Sequence, residues 1–138
     1  MPYQPAFPKP DPRRHAKRRE QDAETRVKTW VRARVAARDG RCRLAGWSLA
    51  QALFGACTGD GEWAHMGSFR RSRTIGQDPE ARHRTEASLM LCASHHRTGP
   101  WAYDRHRVDI EPLSPDGADG RLRFVSRDGP TLTLFAPS

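Results

Sequence analysis

EWAHM at residues 62–66 and LCASHH at residues 91–96 are the two stretches that decide how this chain folds and which chemistry it can perform. The first stretch places His65 in a short apolar run with the character of a strand. The second places one cysteine and two histidines within five residues. A Cys-x-x-His spacing can bring a thiolate and an imidazole onto one metal ion, and imidazole can take a proton from water near neutral pH. The two stretches therefore predict a metal ion beside an acid–base histidine.

The composition predicts one basic domain with a small hydrophobic core. The chain has 138 residues, of which 36% are hydrophobic, and its mean hydropathy is -0.82. A core this small would gain from a metal cross-link. The net charge of +8 favours a polyanionic partner, with double-stranded DNA as the leading candidate. No apolar run reaches transmembrane length and no signal peptide is recognisable, so we expect a cytoplasmic protein that does not bind membranes.

The N-terminal third divides into an arm and a helix. Residues 1–12 contain five prolines and predict a flexible arm. Residues 13–40 predict a basic amphipathic helix that ends at Asp39-Gly40. Its apolar stripe is expected to comprise Ala23, Val27, Trp30, Val31 and Val35. The opposite face includes Arg14 and Arg18 and is expected to contact phosphates, the alternative being a solvated charged surface.

The remaining segments predict an α+β fold. A short helix or a loop is expected at 44–54, a strand at 62–66, an Arg-rich loop at 67–84, a short buried element at 89–91 and a helix from about Ala93. Further strands are expected at 107–113, 122–125 and 131–135, with the last two forming a β-hairpin around Asp128-Gly129.

The three cysteines, Cys42, Cys57 and Cys92, cannot all pair within one chain. With His95, they match the ligand types of a structural zinc site. The alternative is that all three are buried thiols that act as small hydrophobic side chains.

At these residues the chain resembles the HNH endonucleases, also called ββα-metal nucleases. The resemblance is carried by RDGRCR at 38–43, AHM at 64–66 and LCASHH at 91–96, and it covers about residues 30–112. The chain looks closest to small, arginine-rich HNH proteins of bacteriophages and their bacterial hosts. The resemblance implies a nuclease core at 41–112, followed by a C-terminal β extension at 113–138.

The resemblance also implies a role for each motif residue. His65 aligns with the general base, and His96 with a ligand of the catalytic divalent ion, such as Mg²⁺, Mn²⁺, Ni²⁺ or Zn²⁺. Cys42, Cys92 and His95 align with structural zinc ligands. Cys57 is the expected fourth ligand because the usual second knuckle cysteine falls on Ala45. The fold implied is a β-hairpin followed by a helix, which together cradle the catalytic ion.

Two positions depart from the family pattern. Ala64 stands where many members carry an Asp or His that binds the catalytic ion, and Ala87 stands near the position of the middle Asn. His83, Glu86 and Glu62 are the candidates to replace these ligands, and the sequence does not choose among them.

The function implied is metal-dependent endonuclease cleavage of double-stranded DNA, nicking or cutting both strands. Arg70, Arg71 and Arg73 are expected to contact phosphates, with a solvated loop as the alternative. Phage packaging proteins are a candidate class of partner. Two rival functions remain open: a catalytically inactive, zinc-stapled DNA-binding module, and a basic structural or interaction protein.

Overall fold

The computed structural model describes residues 11–66 and 83–134, which form a mixed α+β fold with two small antiparallel sheets. The predicted α+β class is therefore confirmed. The described elements are α1 (Pro12–Asp39), α2 (Ser48–Phe54), β1 (Gly61–His65), β2 (Ser88–Cys92), β3 (Val108–Pro112), β4 (Leu122–Ser126) and β5 (Thr131–Leu134).

Helix α1 begins and ends at residues with the expected capping chemistry. The Asp11 side chain accepts a hydrogen bond from the backbone N–H of Arg13 at 3.0 Å, and Pro12 occupies the first turn, where its missing N–H costs nothing. The helix stops at Gly40, which has φ 70° and donates its N–H to the Ala36 carbonyl at 2.8 Å. The predicted helix stop is confirmed, and the helix starts one residue earlier than expected.

The apolar stripe of α1 is narrower than the sequence indicated. Val31 and Val35 are buried and pack with Met90 of β2. The expectation that Ala23 and Trp30 face the core is wrong, because both are exposed, Trp30 by 59%. Successive residues of a helix are rotated by about 100°, so Trp30 points well away from the direction of Val31. No helix within 11–66 or 83–134 has both the length and the apolar character needed to cross a membrane.

Strands β1 and β2 form an antiparallel hairpin whose two faces have different neighbours. Trp63 lies opposite Met90 and packs with the buried valines of α1. Ala64, one residue along, faces the main core together with Leu89 and Leu91. Because side chains alternate along a strand, His65 shares the α1 face with Trp63, whereas Glu62 shares the opposite face with Ala64.

The second sheet has the strand order β3-β4-β5, and all its neighbours are antiparallel. The predicted hairpin corresponds to β4 and β5, which pair as far as Leu134, and residue 135 lies outside the described range. Strand β3 also pairs with β4, so this sheet begins before the expected boundary at residue 113. Its apolar side chains pack with α2 and with the core face of the β1–β2 hairpin.

The helix expected from Ala93 is a single π-helical turn, Ser94–Thr98. It ends at Gly99, whose N–H donates to the Ser94 carbonyl at 2.8 Å. Pro100 follows and has no N–H to continue a helix. The hairpin is thus followed by one turn rather than by a regular α-helix, which corrects the expectation drawn from the resemblance.

Candidate metal centre and histidine cluster

Cys42, Cys57, Cys92 and His95 form a compact group that could hold a metal ion. They come from four places: the segment after α1, the segment after α2, the last position of β2, and the following π-helical turn. Their ligand atoms all lie within 4.8 Å of one another. The set of four residues predicted from the sequence is therefore brought together by the fold.

The spacing of these atoms fits a tetrahedral site. The Nδ1 atom of His95 lies 3.6 Å from Sγ of Cys42, 3.6 Å from Sγ of Cys57 and 3.1 Å from Sγ of Cys92. Tetrahedral zinc with ordinary Zn–S and Zn–N bond lengths separates sulfur from nitrogen by about 3.6 Å. Two of the three separations match this value, and the third differs from it by about half an ångström.

The protonation of His95 suits a metal ligand. Its Nε2 lies 3.2 Å from the Phe54 carbonyl oxygen and 3.0 Å from that of Gly55. Carbonyl oxygens only accept, so the ring proton is on Nε2. In the neutral ring, Nδ1 then carries no proton, lies close to the three sulfur atoms and can bind a metal ion. Protein metal sites commonly fix the second nitrogen of a ligating histidine in this way.

The thiols differ in how readily they ionise. Burial raises the pKa of Cys42 and also that of Cys57. Burial raises the pKa of Cys92 as well, but hydrogen bonds from the Ser94 hydroxyl and the His95 backbone N–H outweigh it and lower that pKa to about 6. Cys92 is thus the thiol of the three whose pKa is lowered, and a bound cation would favour ionisation of Cys42 and Cys57 as well.

On the α1 face of the hairpin, His65 is the first member of a hydrogen-bonded chain. Its Nε2 lies 2.9 Å from Nδ1 of His83, and Nε2 of His83 lies 3.2 Å from Oε1 of Glu24 in α1. His83 is buried, and the His65 ring packs against Trp63 with their centroids 4.5 Å apart. The position and ring orientation of His65 are thus fixed from two sides.

His96 lies in a second, separate polar group. Its Nδ1 is 2.8 Å from Oε1 of Glu62, and its Nε2 is 3.3 Å from Oδ2 of Asp104. Arg97 donates from Nε and Nη2 to the two oxygens of Glu62, at 2.7 and 2.6 Å. Hydrogen bonds from Arg97, together with the one to His96, lower the pKa of Glu62 to about 2. Both ring nitrogens of His96 and both carboxylate oxygens of Glu62 therefore have partners within this group.

The two candidate catalytic histidines lie on different sides of the hairpin. His65 shares the α1 face with Trp63, whereas Glu62, the partner of His96, leaves the opposite face of β1. Among the three candidate replacement ligands, Glu62 contacts His96, while His83 contacts His65. The contacts of Glu86 are to Arg84 at 3.8 Å and to Thr85 at 3.5 Å. Ala64 and Ala87 are buried at 1% and 0% exposure and add no polar atom to either group.

The predicted phosphate-contacting arginines divide into two sets. Arg14 and Arg18 are exposed on α1. Arg70, Arg71 and Arg73 lie outside the described residues. Helix α1 carries ten basic and four acidic side chains, a net charge of +6, whereas the whole chain carries +8. Most of the net positive charge therefore belongs to this one helix.

Sequence reasoning missed Glu24 and Asp104, which hold the two histidine groups. Glu24 had a detectable signal, because it precedes Val27 by three residues and Val31 by seven and so falls on the apolar stripe of α1. An acidic side chain on such a stripe needs a buried partner. Asp104 carried no comparable signal, since it follows a short irregular segment with no periodicity.

Comparisons of the chain with family models, with curated proteins and with solved structures found no match. The HNH resemblance therefore remains a hypothesis, and it depends on the motif residues quoted above.

Proposed function

We propose that this protein is a DNA endonuclease of the HNH type in which His65 is the general base. The observation that carries the proposal is the hydrogen-bonded chain from His65 through His83 to Glu24. A general base needs a defined tautomer and a partner that stabilises its protonated form, and a chain that ends in a carboxylate supplies both. The strongly basic helix α1, which contributes the carboxylate, also supports a polyanionic substrate.

The tautomers of the chain follow from its last member. The Glu24 carboxylate only accepts, so Nε2 of His83 carries the proton between them. In a neutral ring, Nδ1 of His83 is then an acceptor, and Nε2 of His65 donates to it. With the proton on Nε2, the basic nitrogen of a neutral His65 ring is Nδ1, and we assign the removal of the water proton to that atom.

In the proposed reaction, His65 removes a proton from a water molecule, and the hydroxide attacks phosphorus in line with the leaving 3′-oxygen. The P–O3′ bond breaks, the leaving oxygen takes a proton from solvent, and the products carry a 5′-phosphate and a 3′-hydroxyl. Glu24, acting through His83, stabilises the positive charge on His65 while the proton resides there.

In this proposal the cysteines and His95 have a structural role. Cys42, Cys57, Cys92 and His95 would hold a zinc ion, for which their donor types and spacing are suited. Bound zinc would cross-link the segments after α1 and α2 to the Gly61–Cys92 end of the hairpin, which is the end opposite to His65. Such an ion would stabilise a fold with a small core and would take no part in the chemistry.

The catalytic divalent ion implied by the resemblance does not fit the described residues as they stand. Glu62 and Asp104 contact opposite nitrogens of the His96 ring, so one ion cannot take both carboxylates and His96 together. Arg97 also occupies both oxygens of Glu62. A role for His96 as an ion ligand requires these contacts to change, and no step of the reaction above is derived through it.

A plasmid-nicking assay tests the proposal. Purified protein is incubated with supercoiled DNA and Mg²⁺, Mn²⁺ or Ni²⁺, and the open-circular product is measured over time. His65→Ala should lower the rate by about 100-fold or more, the usual contribution of a general base. His15→Ala, which removes an exposed histidine of α1, is the matched control and should nick at the parent rate. Equal rates for the His65→Ala protein and the parent would show that His65 is not the base.

The second candidate is a zinc-stapled DNA-binding module without catalysis. The observation that favours it is the closed group of Glu62, His96, Arg97 and Asp104, together with the buried Ala64 at the usual ligand position. This candidate predicts salt-sensitive DNA binding and no nicking with any of the three ions. The same purified protein, assayed for both binding and nicking, separates the two functions.

A further inference from the structure

Trp30 is the largest side chain of α1 and the structure leaves it in solvent. It is 59% exposed, although most tryptophans bury their rings. The Arg34 guanidinium lies 4.6 Å from the Trp30 ring centroid, a cation–π contact that holds the ring in place on one face. A base could therefore stack only on the other face of the ring.

Trp30 lines a groove of about 580 Å³ between α1 and the segment that precedes β2. Its lining also includes Val27 and Val31 of α1 and His83, the partner of His65. Arg26 and Arg84 contribute positive charge, while Glu86, which pairs with Arg84 at 3.8 Å, contributes negative charge. The groove thus combines an aromatic surface with cations and borders the proposed reaction site.

Arg26, Trp30 and Arg34 belong to a longer row along α1. Residues spaced by four are neighbours on a helix surface, and the row consists of Arg14, Arg18, Asp22, Arg26, Trp30 and Arg34. From Arg14 to Arg34 the row rises about 30 Å along the helix axis, since a helix rises 1.5 Å per residue. It also winds about 200° around α1, because each step of four residues advances by about 40°. The row therefore crosses the exposed surface of α1 diagonally instead of following one face. Four of its members are cations and one is an anion, so the row carries a net positive charge along its length.

This arrangement fits a polynucleotide with unpaired bases. A cationic track follows phosphates, and an exposed aromatic ring takes a base in a stack that does not depend on its sequence. In a duplex the bases are already stacked on one another, so a ring on a helix surface reaches them only where the strand is open. We infer that α1 binds a single-stranded segment of nucleic acid, with its phosphates along Arg14, Arg18, Arg26 and Arg34 and one base stacked on Trp30.

This binding site goes beyond the proposed hydrolysis and does not depend on it, because binding is measured without cleavage. The site would serve the endonuclease by holding an opened strand beside His65, and it would equally serve a non-catalytic module. Absence of nicking would not contradict the stacking site, and absence of base stacking on Trp30 would not contradict the role of His65.

The test compares a base-dependent and a phosphate-dependent ligand. Fluorescein-labelled oligothymidylate long enough to span α1 and an abasic strand with the same number of phosphates are titrated with the zinc-loaded protein, and anisotropy is measured. Trp30→Ala should weaken binding of the oligothymidylate by roughly fivefold or more, the effect of losing one base stack. It should leave binding of the abasic strand unchanged, and Trp30→Phe, which keeps an aromatic ring, should restore most of the loss.

The arginine row has its own matched pair. Arg26→Ala and Arg32→Ala each remove one exposed positive charge from α1. Arg26 lines the groove beside Trp30, whereas Arg32 lies about 160° around the helix axis from Trp30. Arg26→Ala should weaken binding of both strands more than Arg32→Ala does. A parallel anisotropy titration with oligouridylate shows whether the protein binds RNA or DNA more tightly. An equal effect of Trp30→Ala on the oligothymidylate and the abasic strand would overturn the proposal, as would equal effects of the two arginine variants.

Discussion

The Nε2 atom of His65 lies 2.9 Å from the Nδ1 atom of His83, and these two residues are 18 positions apart in the chain. The contact connects the end of β1 to the segment before β2, and Glu24 extends it into α1. A candidate base at the end of a strand is thereby linked to a carboxylate on a distant helix. Removal of the negative charge of Glu24 is therefore the most direct test of this hydrogen-bonded chain.

Glu24→Gln keeps an oxygen that can accept the proton of His83 but removes the negative charge. We expect nicking to fall by roughly tenfold, because the positive charge on His65 loses part of its stabilisation. Glu20→Gln removes an exposed charge one turn earlier in α1 and serves as the control. Circular dichroism should show both variants folded, since the Glu24 side chain is 26% exposed. If the Glu24→Gln protein were as active as the Glu20→Gln protein, the Glu24 carboxylate would have no role in catalysis.

Adjacent histidines should differ in their effect on metal content. His95→Ala removes a member of the Cys₃His group, so we expect the purified variant to lose its zinc and to unfold at a lower temperature. His96→Ala changes the neighbouring residue outside that group and should keep about one zinc ion per chain. Elemental analysis and thermal denaturation measure both effects. Zinc retained by the His95→Ala protein, or lost from the His96→Ala protein, would contradict the ligand set.

The Glu62–Arg97 pair should make stability depend on pH in the acidic range. The Arg97 guanidinium and the His96 ring lower the pKa of Glu62 to about 2 in the folded protein, from its ordinary value of 4.5. A lowered folded-state pKa contributes stability that is fully present above the unfolded value and is lost as pH falls towards the folded value. The melting temperatures of the parent and of Glu62→Gln should therefore differ most above about pH 5 and converge towards pH 2. A difference that is constant across this range would exclude the linkage.

Two glycines with positive φ, Gly117 and Gly40, provide a matched test of close packing. Gly117 has φ 60°, and a Cβ atom there would lie 2.1 Å from the Glu86 carbonyl oxygen. Gly40 has φ 70°, but its Cβ would meet nothing within 4 Å. We expect Gly40→Ala to cost about 1 kcal/mol of unfolding free energy, and Gly117→Ala to cost clearly more, about 3 kcal/mol. Chemical denaturation measures both, and equal costs would mean that the close approach of Gly117 to Glu86 is not a constraint.

The sequence by itself determined the local features of this protein. Asp11, Pro12 and Gly40 set the ends of α1 because capping depends on side chains and φ values within one turn. A short apolar run located β1, and the alternation of apolar residues located the C-terminal strands. The four members of the candidate metal centre were also identifiable, since cysteine and histidine are the residue types that bind zinc in structural sites.

Only the tertiary structure decided how these elements face one another. The packing of α1 across the hairpin brought Glu24 to His83 from 59 positions away and left Trp30 in solvent. The pairing of β1 with β2 placed His65 and Glu62 on opposite faces of the hairpin. The histidine chain of His65 and the polar group around His96 are therefore separate sites, although the motifs along the chain suggest a single site. Motif spacing records separation along the chain, whereas helix rotation and strand register determine the direction of each side chain.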